Sequence, residues 1–446
     1  MTKYATVLAY ITSMINNGTW PVGTKLPSIR SLATQFQCNK DTVSHVLQEL
    51  KYQNIIYAVA KSGNYVLTGV EQPVPAIKQP IKFANSMPDE TLFPYNDFRA
   101  CLNQVTQTSH EHLFTYFNNP AGYPPLITAI NDYFNTQHLF THTGQITITS
   151  GIQQALYILT RMPFPNHKQT ILLEQPTYHQ MNALVDNLTT DYLTITRDTN
   201  GLDWEELENI FKTQPIKFFY TIPRFSVPYG QSYTNRERAK LCHLAQKYDV
   251  YLVEDDYFAD FENNSRVKTL YEQAHANHVI YLRSFSKIIF PALRLGAVIM
   301  PQKLFDSFIN EKQLIDYDTN MFMQRALAIY LTSSMFTRHR HQITTAYHQK
   351  ARRLNTFLQQ HGIKKNNLAT QVVLHFDTTK ISASMLTELL KQQNLEVNML
   401  TTNYIGQRPL NLFSIDVRNM PYATITSNLT ALWTVIGIYI IRDVDA

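Results

Sequence analysis

The chain has 446 residues, 44% of them hydrophobic and 16% charged, with a formal net charge of +5. That length accommodates two or three domains with buried cores, and the absence of a low-complexity tract argues against a disordered chain. Cys38, Cys101 and Cys242 form an odd set without metal-ligand spacing, which argues against a disulfide framework or a metal centre and for a reducing compartment. The charge is unevenly placed. Within residues 1–69, Lys3, Lys25, Arg30, Lys40, Lys51 and Lys61 oppose only Asp41 and Glu49, a net +4 that leaves the rest of the chain near neutral. A small basic module on a neutral body points toward nucleic acid. The N-terminus lacks the apolar core of a signal peptide, and the run Ala431–Ile441 is shorter than the roughly 20 residues that span a bilayer. The expectation is a cytoplasmic protein with no membrane association.

The N-terminal segment reads as a compact helical module with a wing. Val7, Leu8, Ile11, Met14 and Ile15 recur at helical spacing, and the helix breaks at Asn17-Gly18 and Pro21-Val22-Gly23. A second helix starts near Ser28, a suitable N-cap, and a third runs from Lys40 to Tyr52 with Val43, Val46, Leu47 and Leu50 on one face. Ile55–Ala60 and Tyr65–Leu67 read as strands around a turn at Lys61-Ser62-Gly63-Asn64. Gly23-Thr24-Lys25-Leu26-Pro27-Ser28-Ile29-Arg30-Ser31-Leu32-Ala33, Thr42-Val43 and Ser62-Gly63-Asn64-Tyr65-Val66 resemble the signature of the GntR family of bacterial regulators. The resemblance implies a winged helix-turn-helix over residues 1–69 that binds double-stranded operator DNA. It implies DNA contacts from Arg30, from Asn39, Lys40, Asp41 and Ser44 at the start of the third helix, and from Lys61 and Gly63 in the wing. Such a helix presents its N-terminal residues to base edges while cations meet phosphates.

Residues 70–82, with three prolines between Glu71 and Pro80, read as a short semi-extended linker. From Phe83 onward, strand and helix patterns alternate, which predicts an α/β body with a mainly parallel central sheet. Ile146–Thr149 is a strand, and Ser150-Gly151-Ile152-Gln153 turns into a helix whose free N–H groups suit an anion. Ile171–Leu173 leads to Glu174-Gln175-Pro176-Thr177-Tyr178, and Phe218–Ile222 leads to Pro223-Arg224-Phe225-Ser226-Val227-Pro228-Tyr229-Gly230. Val250–Val253 ends in Glu254-Asp255-Asp256-Tyr257, carboxylates at the strand end where α/β sheets bind ligands.

The stretch Ser284-Phe285-Ser286-Lys287, followed by Pro291, Arg294 and Gly296, lies between two apolar strand-like runs, His278–Leu282 and Leu295–Met300. Its lysine can form a Schiff base with an aldehyde cofactor whose phosphate Ser284 and Arg294 hold. This resembles the pyridoxal-phosphate lysine motif of fold-type I, aspartate aminotransferase-like proteins. The resemblance implies pyridoxal 5'-phosphate as cofactor and Lys287 as the Schiff-base residue. Gly151, Ile152 and Gln153 would lie at the phosphate, Tyr178 against the ring, Asp255 at the ring nitrogen and Tyr257 at the ring oxygen. It also implies a large subdomain over about 125–335 and a smaller α+β subdomain from the flanking segments of 83–446. Three positions depart from the enzymes. Gln180 and Asn411 stand where arginines bind a substrate carboxylate, and Val227 stands where an asparagine bonds the ring oxygen; Arg408 and Arg418 are further cations near Asn411.

A winged helix followed by a proline-rich linker and an aminotransferase-like body is the order of the MocR subgroup of GntR regulators. The resemblance implies a head-to-tail homodimer on paired half-sites. It also implies a regulator that senses pyridoxal phosphate, an amine or an amino acid through Lys287, controlling vitamin B6 or amino-compound metabolism. The alternative is a working aminotransferase that carries a DNA-binding module. The missing arginines favour the regulator.

Overall fold

The computed structural model describes the chain except residues 1, 54, 60, 68–79, 84–86, 109–112, 199–200, 263, 265, 275–276, 364–368, 407–410 and 442–446. Nearly all of the expected linker, and Arg408 with it, therefore lies outside the described residues. The chain divides into two compact units, Met1–Gln79 and Pro80–Ala446.

The first unit comprises α1 (Lys3–Asn16), α2 (Ile29–Gln35), α3 (Lys40–Tyr52) and a hairpin of β1 (Ile56–Val59) with β2 (Gly63–Val66). Val7, Ile11, Leu32, Val43, Val46 and Leu50 are fully buried in its core. Each helix has a side-chain cap. Ser28 Oγ accepts from Ser31 N at 3.1 Å, and the Asn39 side chain accepts from Asp41 N at 3.4 Å; such caps contribute about 1 kcal/mol each. The wing turn is tighter than the sequence implied. Lys61 takes a left-handed φ of +60° and Ser62 N donates to Val59 O at 3.0 Å, so Gly63 already pairs with Val59 as a strand residue.

The second unit opens with β3 (Ile81–Lys82), α4 (Tyr95–Thr108) and α5 (Pro124–Thr136). There follow β4 (Ile146–Thr149), α6 (Ile152–Arg161), β5 (Thr170–Gln175), α7 (His179–Asn187), β6 (Tyr192–Asp198) and β7 (Gly201–Leu202). Next come α8 (Trp204–Thr213), β8 (Ile216–Thr221), α9 (Asn235–Lys247), β9 (Tyr251–Asp255), α10 (Leu270–Gln273), β10 (Val279–Ser284) and β11 (Gly296–Ile299). These strands form one eight-stranded sheet in the order β4-β11-β10-β9-β8-β5-β6-β7. Strands β10, β9, β8, β5 and β6 are mutually parallel, whereas β4 and β10 flank β11 antiparallel and β7 runs antiparallel to β6. Alternate residues feed two cores, one on each face: Leu172, Phe219 and Leu252 on one, Ile171, Phe218 and Val253 on the other. Burial of both faces explains why β8, β9 and β10 read as continuous apolar runs.

The remaining elements are α11 (Gln302–Ile315), α12 (Met321–Thr332), α13 (Ser334–Gln360), β12 (Gln371–His375), α14 (Ala383–Gln392), β13 (Leu395–Glu396), β14 (Asn398–Met399), β15 (Leu412–Asp416) and α15 (Ile425–Ile436). Strands β12, β15 and β14 form an antiparallel sheet whose core includes Leu354, Leu374, Phe413, Leu432 and Ile440. That packing accounts for the apolar run near residue 440, and among the described residues no helix is long and apolar enough to cross a membrane.

The N-terminal flank splits between the two parts. Phe98, Cys101 and Val105 of α4 join the core of the large sheet, while Phe83 joins the small one. Ile81 and Lys82, expected as the end of the linker, pair in parallel with Leu395 and Glu396. Several strands also run further than their apolar runs: β5 reaches Gln175, β9 Asp255 and β10 Ser284. Their polar last residues are buried, so hydrophobicity alone does not reveal where these strands stop.

Candidate functional site

The ends of the parallel strands open into a cavity of about 430 Å³, the position at which open α/β sheets bind ligands. Gly151, Ile152, Gln153, Tyr178, Asp255, Tyr257, Ser284, Lys287 and Arg294 all line it. Four separate chain segments thus bring every residue singled out for the cofactor to one place.

Asp255 ends β9 and is 1% exposed. Its Oδ2 accepts from Tyr220 Oη at 2.7 Å, while Oδ1 has no hydrogen-bond partner among the described residues. Burial pushes its pKa up to about 7 despite the Tyr220 bond, so the charged form wants a further donor. The adjacent acids are committed elsewhere. Asp256 binds Arg224 through two nitrogens and accepts from Tyr281 Oη at 2.8 Å, and Glu254 accepts from Leu270 N and Tyr271 N at the start of α10.

Lys287 sits in the turn between β10 and β11. Burial first, and the Arg418 guanidinium second, lower its pKa to about 8. Ser284 ends β10 and accepts from Ser286 N at 3.3 Å, and Ser286 Oγ is buried without a partner among the described residues.

The start of α6 faces this turn. Gly151 has φ +80°, and a Cβ there would lie 2.9 Å from Arg294 Nη2. That backbone conformation, φ +80° with ψ 167°, favours glycine, and the missing Cβ leaves room for the arginine beside the helix N-terminus. Arg294 itself adopts φ +51° and ψ +42° and donates to Gln153 Oε1 at 2.9 Å. Gln153 in turn donates to Tyr178 Oη at 3.1 Å, which fixes the tyrosine at the cavity wall. Free N–H groups at a helix start beside an arginine form a site for a phosphate dianion.

Tyr257 donates to Phe225 O at 2.9 Å, in the segment after β8 that also carries Val227 into the cavity. A buried group sets that segment: Arg197 pairs with Glu174 at 3.2 Å and donates to Ile222 O at 3.0 Å. Gln180 is exposed, contacts His179 and does not line the cavity. Met321, Phe322 and Met323 do not line it either.

Sequence reasoning left the far wall unassigned. Asn411 precedes β15, offers its carbonyl to Phe376 N at 3.0 Å and is not part of the lining. The cation that enters the cavity from this region is Arg418, next to Asp416, Ser414, Asn398 and Gln371. Its Nη2 lies 3.1 Å from Asp416 Oδ2, its backbone N donates to Asp416 Oδ1 at 2.8 Å, and its guanidinium sits 4.3 Å from the centre of the Phe258 ring. Lys350 holds the Arg418 carbonyl at 2.9 Å while pairing with Asp89 at 2.6 Å. The available signal was Asp416-Val417-Arg418, opposite charges two residues apart at a strand end.

In the first unit, Arg30, Asn39, Lys40, Asp41 and Lys61 are exposed, and Ser44 and Gly63 are half-buried. The Asn39 carbonyl oxygen caps α3, which leaves its amide N–H groups as donors. His45 and Gln48 are also exposed on α3, each four residues beyond a residue singled out earlier (Asp41 and Ser44), and were not assigned from sequence.

Comparisons with known proteins agree with this division. The model of the gntR family of bacterial regulatory proteins matches residues 3–66, and that of class I and II aminotransferases matches residues 84–415. An HTH-type transcriptional regulator of Bacillus subtilis, YcxD, is 39% identical over 432 residues, covering 94% of this chain and 96% of that protein. The probable rhizopine catabolism regulatory protein MocR of Rhizobium meliloti is 24% identical over 422 residues, covering 86% and 84%. Among solved structures, the α-aminoadipate aminotransferase LysN of Thermus thermophilus, complexed with N-(5'-phosphopyridoxyl)-L-leucine, superposes with a TM-score of 0.72 at 22% identity. That match covers 81% of this chain and 94% of LysN and establishes the fold.

Proposed function

Because the chain belongs to the MocR subgroup of GntR transcriptional regulators, a DNA-binding module joined to an aminotransferase-like body, we propose that the body binds pyridoxal phosphate through Lys287 and reports cofactor or amine occupancy to the DNA-binding module. The observation that carries this reading is the convergence in one cavity of Lys287, the unsatisfied Asp255 Oδ1 and the Gly151–Arg294 cradle. Asp255 would accept from the protonated ring nitrogen, and Tyr178 would cover the ring. Arg294, Ser284 and the first N–H groups of α6 would hold the phosphate. Bound there, pyridoxal phosphate supplies an aldehyde carbon that condenses with amines. A lysine with a pKa near 8 is half uncharged at mildly alkaline pH and retains a far larger uncharged fraction at neutral pH than an ordinary lysine, as that condensation requires.

DNA contacts fall to Arg30, Asn39, Lys40, Asp41 and Ser44, with Lys61 and Gly63 in the wing. Assembly as a homodimer is supported by exposed aromatic and aliphatic side chains around Phe114, Tyr116, Leu314 and Tyr317, which a monomer would leave in water. Regulation is favoured over turnover because the arginine facing the cavity is held by Asp416 instead of being open to a substrate carboxylate. Vitamin B6 or amino-compound metabolism is the corresponding regulated field.

A gel shift with DNA from upstream of this protein's own gene, with and without pyridoxal phosphate, tests the reading in wild type and Lys287→Ala. Cofactor-dependent binding that changes in the variant is expected. Binding indifferent to both cofactor and lysine would remove the sensing role.

A further inference from the structure

The cavity has more lining than the cofactor would use, and the remainder has a definite chemistry. We propose that the wall formed by Asp416, Arg418, Ser414, Asn398 and Gln371 selects a primary amine whose far end is an uncharged hydrogen-bond donor, and rejects amines that carry a carboxylate. This rests on the reading that the cavity holds pyridoxal phosphate at Lys287.

Among the described residues, the lysine and arginine side chains lining the cavity are Lys287, Arg294 and Arg418, and the acids are Asp255 and Asp416. The cofactor would claim Lys287, Arg294 and Asp255, which leaves Arg418 and Asp416, two charges that cancel, as the charged part of the remaining described wall. Both members of that pair are buried, with side chains 8% and 4% exposed. A ligand carboxylate would have to draw Arg418 away from Asp416 and leave a buried anion uncompensated. That loss offsets the attraction it gains.

The backbone fixes the pair. Asp416 Oδ1 accepts from the Arg418 N–H at 2.8 Å, Lys350 anchors the Arg418 carbonyl at 2.9 Å, and Phe258 lies against the guanidinium. Rotation of one side chain therefore does not free the arginine. Asp416 Oδ2 faces Arg418 at 3.1 Å as an ion pair but makes no aligned hydrogen bond among the described residues. It therefore retains acceptor capacity. The neighbours are uncharged amides and a hydroxyl, with Asn398 Nδ2 donating to Ser414 Oγ at 3.3 Å. A terminal hydroxyl donates to Asp416 without disturbing the pair, whereas a terminal carboxylate meets the Asp416 anion and an arginine already paired with it.

Two ligands of similar length separate these cases, 3-aminopropan-1-ol and β-alanine. The full-length protein is first loaded with pyridoxal phosphate, and uptake is verified by absorbance; failure to load would refute the cofactor reading and this proposal with it. Calorimetric titration of the loaded protein should then show the amino alcohol binding at least about tenfold more tightly than β-alanine. Asp416→Asn removes the competing anion and should narrow or reverse that order, with β-alanine gaining roughly tenfold. Arg418→Gln leaves the wall with one negative charge and should favour 1,3-diaminopropane over the amino alcohol. Equal or tighter binding of β-alanine by loaded wild type would overturn the proposal. So would an order of affinities unchanged in whichever variant retains its fold by circular dichroism.

Discussion

Replacing Asp255 by asparagine separates a carboxylate retained for a ligand from one retained for folding. In the ligand-free cavity, burial raises its pKa from 3.8 to about 7. Between these values the native chain binds a proton that the unfolded chain has released, so stability falls as pH rises through this window and stays lowered above it. A shift of roughly three units corresponds to about 4 kcal/mol, an upper bound for the cost of keeping the group charged at pH 8. Asp255→Asn should therefore make the cofactor-free protein more stable than wild type at pH 8, with a smaller difference at pH 5. Loaded protein should behave in the opposite way, because a charge-assisted hydrogen bond to the ring nitrogen is worth about 1.5–3 kcal/mol, or roughly 10- to 150-fold in cofactor affinity. Thermal melts at the two pH values, with and without pyridoxal phosphate, read both effects. Asp256→Asn is the control: it breaks the buried pair with Arg224 and should cost about 3–5 kcal/mol whether or not cofactor is present. Equal behaviour of the two variants would refute the assignment of Asp255 to a ligand.

Three further outcomes follow from individual contacts. Gly151→Ala places a methyl group 2.9 Å from Arg294 Nη2 at φ +80°, so it should destabilise the turn by about 1–3 kcal/mol and weaken uptake of both pyridoxal phosphate and inorganic phosphate, measured by calorimetry. The rate of cofactor uptake should rise with pH and level off above about 8, the pKa to which burial lowers Lys287; stopped-flow absorbance would show a rise continuing toward about 10.4 if the amine were unperturbed. For operator DNA, Arg30→Ala and Lys61→Ala should each reduce the slope of log affinity against log salt by about 0.9 if they contact phosphate, as fluorescence anisotropy would show.

The parts of the fold that the sequence disclosed are those in which a single physical cause dominates. Helix α3 was read with its observed limits because four apolar residues recur at helical spacing, and the structure adds Asn39 as its cap. Strands β5, β8, β9, β10 and β11 were placed because burial on both faces leaves an apolar run, whereas β6, with exposed threonines at alternate positions, was not. Their ends were less legible, since Glu174, Asp255 and Ser284 are polar yet buried and engaged. Hydrophobicity does not distinguish such residues from loop residues; only their partners in distant segments do. The same limit explains the far wall of the cavity. Nothing local to Asp416 and Arg418 says that Phe258 and Lys350 hold the arginine in place, 160 and 68 residues away in sequence.

Those long-range contacts bear on whether the body catalyses or senses. Turnover requires binding energy that grows toward the transition state, and an arginine open to a substrate carboxylate is one way to supply it. Here the arginine already has an anionic partner of its own, and Val227 lies in the lining where the aminotransferase resemblance expects a hydrogen-bonding asparagine. Lys287, Asp255 and the Gly151–Arg294 cradle are retained, whereas Val227 alters a cofactor position and Gln180 and Asn411 replace the arginines that would bind a substrate carboxylate. A site of that kind can still distinguish an occupied from an empty state. Differential affinity for two conformations is all that a regulator needs in order to shift their populations.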